Sequence, residues 1–341
     1  MAPQYSTQIA VASALVGAST ILGYYYYKKL RQNRIPKEWE PVGTVSELYM
    51  YPLKSGRRLE ITNAKCTEYG LQSPEPSLPH FRDRCLVIYK ENANEVKSAR
   101  TYPNILLIET STIGNEHFSL NAPGMDALML PVPKVTGNEI YITMWNKEQI
   151  FTIDCGEEAA QWVSNYILGQ SVGLRLGYHD GQHRRDIEKY YQSYKKIFPN
   201  FGNFAGGMYS DLATVLLLTK SSVTDLEKRI PEANISLHNF RPNIVVDGDK
   251  IKPYDEDNWK WIKIGDVIFQ NVMLCNRCSM TTVNPETAQF LKNYEPIKTM
   301  NQYRSSIKIG SGPQSPNMGI YVGMRKEGNI KVNDTVYVGK S

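Results

Sequence analysis

From Val42 onward the chain runs in short apolar stretches, each cut off after a few residues by Gly, Pro, Asn or Asp. No other feature limits the fold as strongly, because runs of this length suit strands better than helices. GTVSELYMYPL (43–53), RCLVIYK (84–90), NILLIET (104–110) and DALMLPV (126–132) read as strands. So do ATVLLLTK (213–220), NIVVDG (243–248), IKIGDVIFQNVML (262–274), GIYVGMRK (319–326) and DTVYVGK (334–340). The last third is the most strand-dense, with Gly-Asp, Asp-Gly and Gly-Asn turns, and predicts a barrel or sandwich. A helix is predicted over Cys155–Gly169, where Ala159, Trp162, Val163, Tyr166 and Ile167 recur on one face and Gly169 supplies a stop. A second opens at SVTDLEKRI (222–230), with Ser222 or Thr224 as candidate cap. Residues 179–208 are polar, basic and rich in turn formers, and read as a long connection with at most one helix, near a domain boundary.

The 341 residues are enough for two ordinary domains, and 41% hydrophobic with 21% charged residues is the composition of a folded chain. A net charge of +5 suits an anionic ligand or a membrane surface. Without an RNP motif or a long Lys/Arg block, it argues against nucleic acid. Five scattered cysteines do not make a disulfide framework. Cys66, Cys85 and Cys155 read as buried small hydrophobes.

The first thirty residues stand apart. IAVASALVGASTILGYYYY (9–27) carries no charge and is followed by KKLRQNR. About 20 apolar residues span a bilayer core, tyrosines favour its interface, and the trailing cations place the body in the cytosol. A cleaved signal peptide would need a basic segment before the apolar run. The expectation is a signal anchor over 1–30 and a proline-bearing linker over 31–41.

LCNRCSMTTVN (274–284) holds Cys275 and Cys278 at C-x-x-C spacing. A structural zinc site needs four ligands, and no second pair or His hook follows. A redox dithiol wants the pair at a helix start, and SMTTVN opens a helix poorly. A single thiolate beside Arg277, holding a soft or high-valent metal, remains open along with these. In NFRPNIVVDG (239–248), Arg241 and Asn243 flank Pro242 at a strand start. An arginine there grips phosphate well, though an exposed arginine before a strand is the commoner case. YMYPLKSG (49–56) offers Lys54, Ser55 and backbone N–H groups to an anion without Walker spacing. Arg84, in FRDRCLVI (81–88), and Asp211, in YSDLATVLLL (209–218), read alone as a surface charge and a turn residue. Together these features suit a large anionic metal cofactor in a cleft.

YPLKSG, FRDRCLVI, SARTYPN, DCGEEAAQWVSNYI, NFRPNIVV, IGDV and CNRCSMTTVNPET occur in this order along the chain. With them the chain resembles the mitochondrial amidoxime reducing components, molybdenum-cofactor proteins of the MOSC family. The resemblance covers nearly the whole chain. It implies an α+β fold: an N-terminal α+β domain of the MOSC N-terminal type over 42–175, then a MOSC β-barrel over 176–338, with Mo-molybdopterin between them. By resemblance Cys278, not Cys275, ligates molybdenum. Lys54, Ser55, Arg84, Arg241, Asn243, Asn276 and Arg277 contact the cofactor, and Asp211 assists proton delivery or orients the site. The family often has two hydroxylated residues after the aspartate, where this chain has Leu212-Ala213. Residues 184–207 match least.

The implied activity is reduction of N-hydroxylated compounds such as amidoximes, hydroxylamines and N-hydroxyguanidines. Electrons are expected from NADH through cytochrome b5 reductase and cytochrome b5, at the outer mitochondrial membrane. No G-x-G-x-x-G follows a strand, which argues against direct NADH binding. The alternative is a membrane-tethered protein that binds or carries the cofactor without turnover.

Overall fold

The computed structural model describes residues 34–73, 81–114, 116–135, 139–305, 309 and 314–340, together with Gly23. Apart from Gly23, the expected anchor over 1–30 lies outside the described residues. Among the described residues no helix is long and apolar enough to cross a membrane.

Two barrels carry the fold. The N-terminal one is closed by strands Glu139–Thr143, Gln149–Asp154, Leu174–Tyr178, Leu86–Lys90 and Glu95–Lys97. A three-stranded sheet, Glu109–Ile113, His117–Asn121 and Leu128–Pro131, lies in the same half of the chain. Helix Glu157–Leu168 forms where the apolar periodicity placed it and ends on Gly169, whose φ of 68° is a left-handed stop that costs glycine little. The helix buries Ala159, Trp162 and Val163 in the same core as Leu86, Ile88, Leu174 and Leu176 of the barrel.

The C-terminal sheet is eight-stranded, in the order Ile244–Asp247, Val215–Thr219, Asn317–Lys326, Val267–Asn276, Trp261–Ile264, Thr335–Gly339, Trp39–Met50 and Leu59–Ile61. Pairing of Ile244–Asp247 with Trp39–Met50 closes it into a ring. The earliest strand is thus a stave of the C-terminal barrel: Thr44 is opposite Asp247 on one side and Trp39 opposite Gly339 on the other. The interior of this barrel is apolar, with Val45, Leu217, Ile244, Phe269, Ile320 and Val336 all fully buried.

Several local expectations change. NILLIET is not one strand. Pro103 starts a 3-10 turn, Pro103–Leu107, and a strand begins only at Glu109. IKIGDVIFQNVML is two strands joined at Gly265, whose φ is 54°. The helix expected from Ser222 starts earlier, at Lys220, straight off the strand before it. Ser222 is fully buried and hydrogen-bonds Glu256 and Thr219 instead of capping. The 179–208 connection holds two short helices, Ile187–Tyr190 and Gln192–Ile197, rather than at most one.

Candidate functional site

The sequence candidates Lys54, Ser55, Arg84, Asp211, Arg241, Asn243, Asn276, Arg277 and Cys278 all line one cleft between the barrels. Five chain segments meet there, which is why no single motif was decisive. Sequence reasoning missed Ser98, Arg100, Trp145, Ser210, Asn239, Tyr321 and others in the same lining. SARTYPN held the signal for Ser98 and Arg100.

The cysteine loop leaves the end of strand Val267–Asn276. The register against Asn317–Lys326 slips between Leu274 and Asn276, a bulge that re-aims the chain just before the thiol. Cys278 is half-buried and starts the 3-10 turn Ser279–Thr282. Cys275 is 1% exposed, and burial pushes its thiol up despite the nearby Arg277. Burial also raises the Cys85 thiol, to about 12. Cys66 and Cys85 are fully buried, whereas Cys155 is only partly so. Among the described residues no group of three or more His, Cys, Asp or Glu side chains converges as a metal site.

Arg277 has a structural role that the sequence did not show. Its guanidinium donates to the carbonyls of Met318 and Phe240, the latter at 2.9 Å. It clamps two neighbouring segments while its charge has no carboxylate partner among the described residues. The carbonyl it holds precedes Gly319, whose φ is 71° and where a Cβ would come within 2.7 Å of the Leu217 carbonyl oxygen. Only glycine fits that bend.

Asn243 is a fully buried hub. Its Nδ2 donates to the Tyr49 carbonyl at 3.1 Å and to Asp83 at 3.0 Å. Its Oδ1 accepts from Leu216 N–H at 3.1 Å and from Arg84 at 3.2 Å. Asp83, invisible as a site residue in the sequence, also accepts the Tyr51 N–H at 2.8 Å and pairs with Arg84. Asn239 ties this region to the cysteine loop by donating to the carbonyls of Thr281 and Val283, at 3.1 and 3.2 Å.

Lys54 is buried and donates to Asp211 at 2.5 Å and to the Tyr209 carbonyl at 2.8 Å. Burial lowers its pKa, opposed by Asp211. Burial acts against ionisation of Asp211, but the Lys54 ammonium and the Trp145 indole N–H, 3.0 Å away, outweigh it and hold the carboxyl well below the usual range. An aspartate held ionised orients Lys54 and Trp145 and is a poor proton donor.

Arg84 and Arg241 both lie over the Tyr51 ring, their guanidinium carbons 4.9 and 4.1 Å from its centroid. Burial brings Arg241 down to about 10. Its Nη2 is buried with no hydrogen-bond partner, as is the Ser210 Oγ. Ser55, Arg84 and Arg241 also have φ of 66°, 54° and 53°, a left-handed backbone that costs a non-glycine residue about 1–2 kcal/mol. Strain of this kind persists where surrounding structure enforces it, and it collects at ligand sites.

These residues fit a phosphate-bearing metal cofactor. A buried arginine nitrogen without a partner costs about 1–3 kcal/mol, which an anionic oxygen relieves. The cation Arg241 has no carboxylate partner among the described residues, and a half-buried thiol lines the same cleft.

The MOSC domain family matches residues 206–337 and the MOSC N-terminal beta barrel domain family matches 42–170. Mitochondrial amidoxime reducing component 2 of Bos taurus is 34% identical over 300 residues, 87% of this chain and 84% of that protein. Mitochondrial amidoxime-reducing component 1 of Mus musculus is 34% identical over 335 residues, 98% of this chain and 92% of its own. The Homo sapiens component 1 is 32% identical over 330 residues, 96% and 92%. With both barrels matched and the relatives aligned almost end to end, the chain belongs to the mitochondrial amidoxime reducing component family of MOSC-domain proteins.

Proposed function

We propose that the cleft binds the molybdenum cofactor and that the protein reduces N-hydroxylated compounds. The observation that carries this is the unpartnered, buried Nη2 of Arg241 in a cleft that also presents the Cys278 thiol. Cys278 supplies the thiolate ligand to molybdenum. Arg241, Arg84, Lys54 and Ser55 receive the phosphate and polar pterin groups, and Asn243, Asn276 and Arg277 hold those segments in place. When bound, the cofactor supplies two-electron redox chemistry that protein side chains lack.

The net reaction takes an amidoxime R–C(NH2)=N–OH, two electrons and two protons to the amidine R–C(NH2)=NH and water. Asp211 stays ionised and fixes Lys54, whose ammonium carries the exchangeable proton nearest to the carboxylate. Trp145 donates its indole N–H to the same carboxylate oxygen that Lys54 holds. Electrons come from NADH through cytochrome b5 reductase and cytochrome b5. The charge-free segment 9–27 anchors the protein in the outer mitochondrial membrane with the body in the cytosol, beside membrane-held donors. The names of the relatives include "mitochondrial", in keeping with that location.

The test is metal and pterin content of the purified full chain, followed by benzamidoxime reduction with reconstituted donors. Cys278→Ser is expected to abolish turnover, and Cys275→Ser to be far milder. Wild-type rates in Cys278→Ser would refute the ligand assignment. Stoichiometric molybdenum with no reduction would favour a carrier instead.

A further inference from the structure

The cations of the cleft are not equivalent. Lys54 pairs with Asp211 and Arg84 with Asp83, inside the cleft among the residues proposed for the cofactor. Arg277 is spent on main-chain carbonyls, and Arg241 faces inward with a buried nitrogen. That leaves Arg100. Among the described lining residues it is the one in the exposed class, and no salt bridge or hydrogen bond to its guanidinium is found. Its position is nevertheless fixed. It sits in the turn after strand Glu95–Lys97, closed by the N–H groups of Thr101 and Tyr102 on the Ser98 carbonyl at 2.9 and 3.0 Å. Its guanidinium carbon rests 4.1 Å from the Trp145 ring centroid. Stacking on indole pre-pays the side-chain entropy of a long arginine and leaves its N–H edge for an acceptor. Trp145 is itself held by its bond to Asp211.

Arg100 and Trp145 belong to the N-terminal half of the chain, whereas Arg241, Asn243, Asn276 and Cys278 belong to the C-terminal barrel. Its exposure places Arg100 at the rim of the cleft, outside the buried cations. We propose that Arg100, stacked on Trp145, is the specificity-determining residue of a rim subsite for anionic substrates, so that the preferred N-hydroxylated compounds carry a carboxylate or phosphate away from the reacting nitrogen. Lys54 and Trp145 both donate to Asp211 Oδ1 and so offset part of the negative charge such a group would meet there.

This inference rests on the reductase reading, and the experiment separates the two. The full chain, loaded with molybdenum and reduced by a viologen dye, is given benzamidoximes bearing a carboxylate, each against the carboxamide of the same shape. The ratio of kcat/KM for carboxylate over carboxamide is expected to be about tenfold in the wild type, the equivalent of one charge-assisted contact. It is expected to fall to near one in Arg100→Gln, to be partly kept in Arg100→Lys, and to shrink as salt rises. Calorimetry with the corresponding amidine products should show the same preference without turnover. No reduction of either substrate by the loaded wild type sinks the reductase reading, and the calorimetric ratio then still decides the subsite. Equal binding of carboxylate and carboxamide by the wild type overturns the proposal. Loss of molybdenum from Arg100→Gln also overturns it, because Arg100 would then serve the cofactor.

Discussion

Arg185 grips Glu148 with both arms, Nε on one carboxylate oxygen at 2.8 Å and Nη2 on the other at 2.6 Å, and each side chain is 1% exposed. The same guanidinium donates to the carbonyls of Ser210, and at 3.3 Å of Asp211. A corner of the N-terminal barrel thereby holds the loop that presents Asp211 and the Tyr209 carbonyl to Lys54. Removing one partner strands a buried charge, which costs about 3–5 kcal/mol. Arg185→Met and Glu148→Gln should each lose that much in urea unfolding. The double variant Arg185→Met/Glu148→Met should recover most of it while still binding less molybdenum, because the loop carbonyls are no longer held. A double variant as unstable as the singles would show that the ion pair is not what the singles lose.

Arg241 should set stability against function. Its burial disfavours the charge even with Tyr51 beneath it. In cofactor-free protein, Arg241→Met should therefore raise stability by about 1–3 kcal/mol. The same change should lower molybdenum occupancy about tenfold or more. Thermal melts and metal analysis on one preparation check both signs, and a destabilised apoprotein would contradict the reading of Arg241 as an unsatisfied cation.

His179 makes the fold acid-sensitive. It is 1% exposed, accepts the Gly181 N–H on Nδ1 at 3.0 Å, and has an unpartnered Nε2. Burial lowers it from 6.5 to about 4. The unfolded chain therefore takes up the proton first. Stability is full above about pH 6.5 and falls as pH drops towards 4, by up to about 3 kcal/mol from this group. His179→Gln should flatten the stability curve over that window. An unchanged slope would assign the acid sensitivity to other groups.

Asp211 titrates far below the working range, so kcat/KM between pH 5 and 9 should show no acid limb from it. Asp211→Asn removes the partner of Lys54 and should lower kcat/KM about tenfold or more, in line with the loss of one charge-assisted hydrogen bond. An acid limb near pH 5 that disappears in the variant would restore Asp211 as a proton donor.

The sequence showed the type of most elements because their periodicity is local: Val215–Thr219 and Glu157–Leu168 lie where their apolar patterns placed them. Every candidate residue also reached the cleft. What was not legible depends on long-range partners. Asp83 looked like one charge among several in FRDRC, and only the fold brings Tyr51 and Asn243 onto it. Arg185 lay in the least-matched segment, and nothing near it in sequence points to Glu148. Arg277 stood next to a cysteine in sequence and turned to Met318 in space. Trp145 was passed over because its hairpin corner carries no motif.

Strand Trp39–Met50 is the first of the described strands along the chain and pairs with the last. Leu59–Ile61 pairs with it early, but its other partners, Ile244–Asp247 and Thr335–Gly339, are made much later. Pairings so distant in sequence form slowly, and until they form the strand is an open edge. The C-terminal ring therefore closes only after its most distant pairing is available. Until Thr335–Gly339 is made, the ring that carries Arg241 and Cys278 stands one stave short.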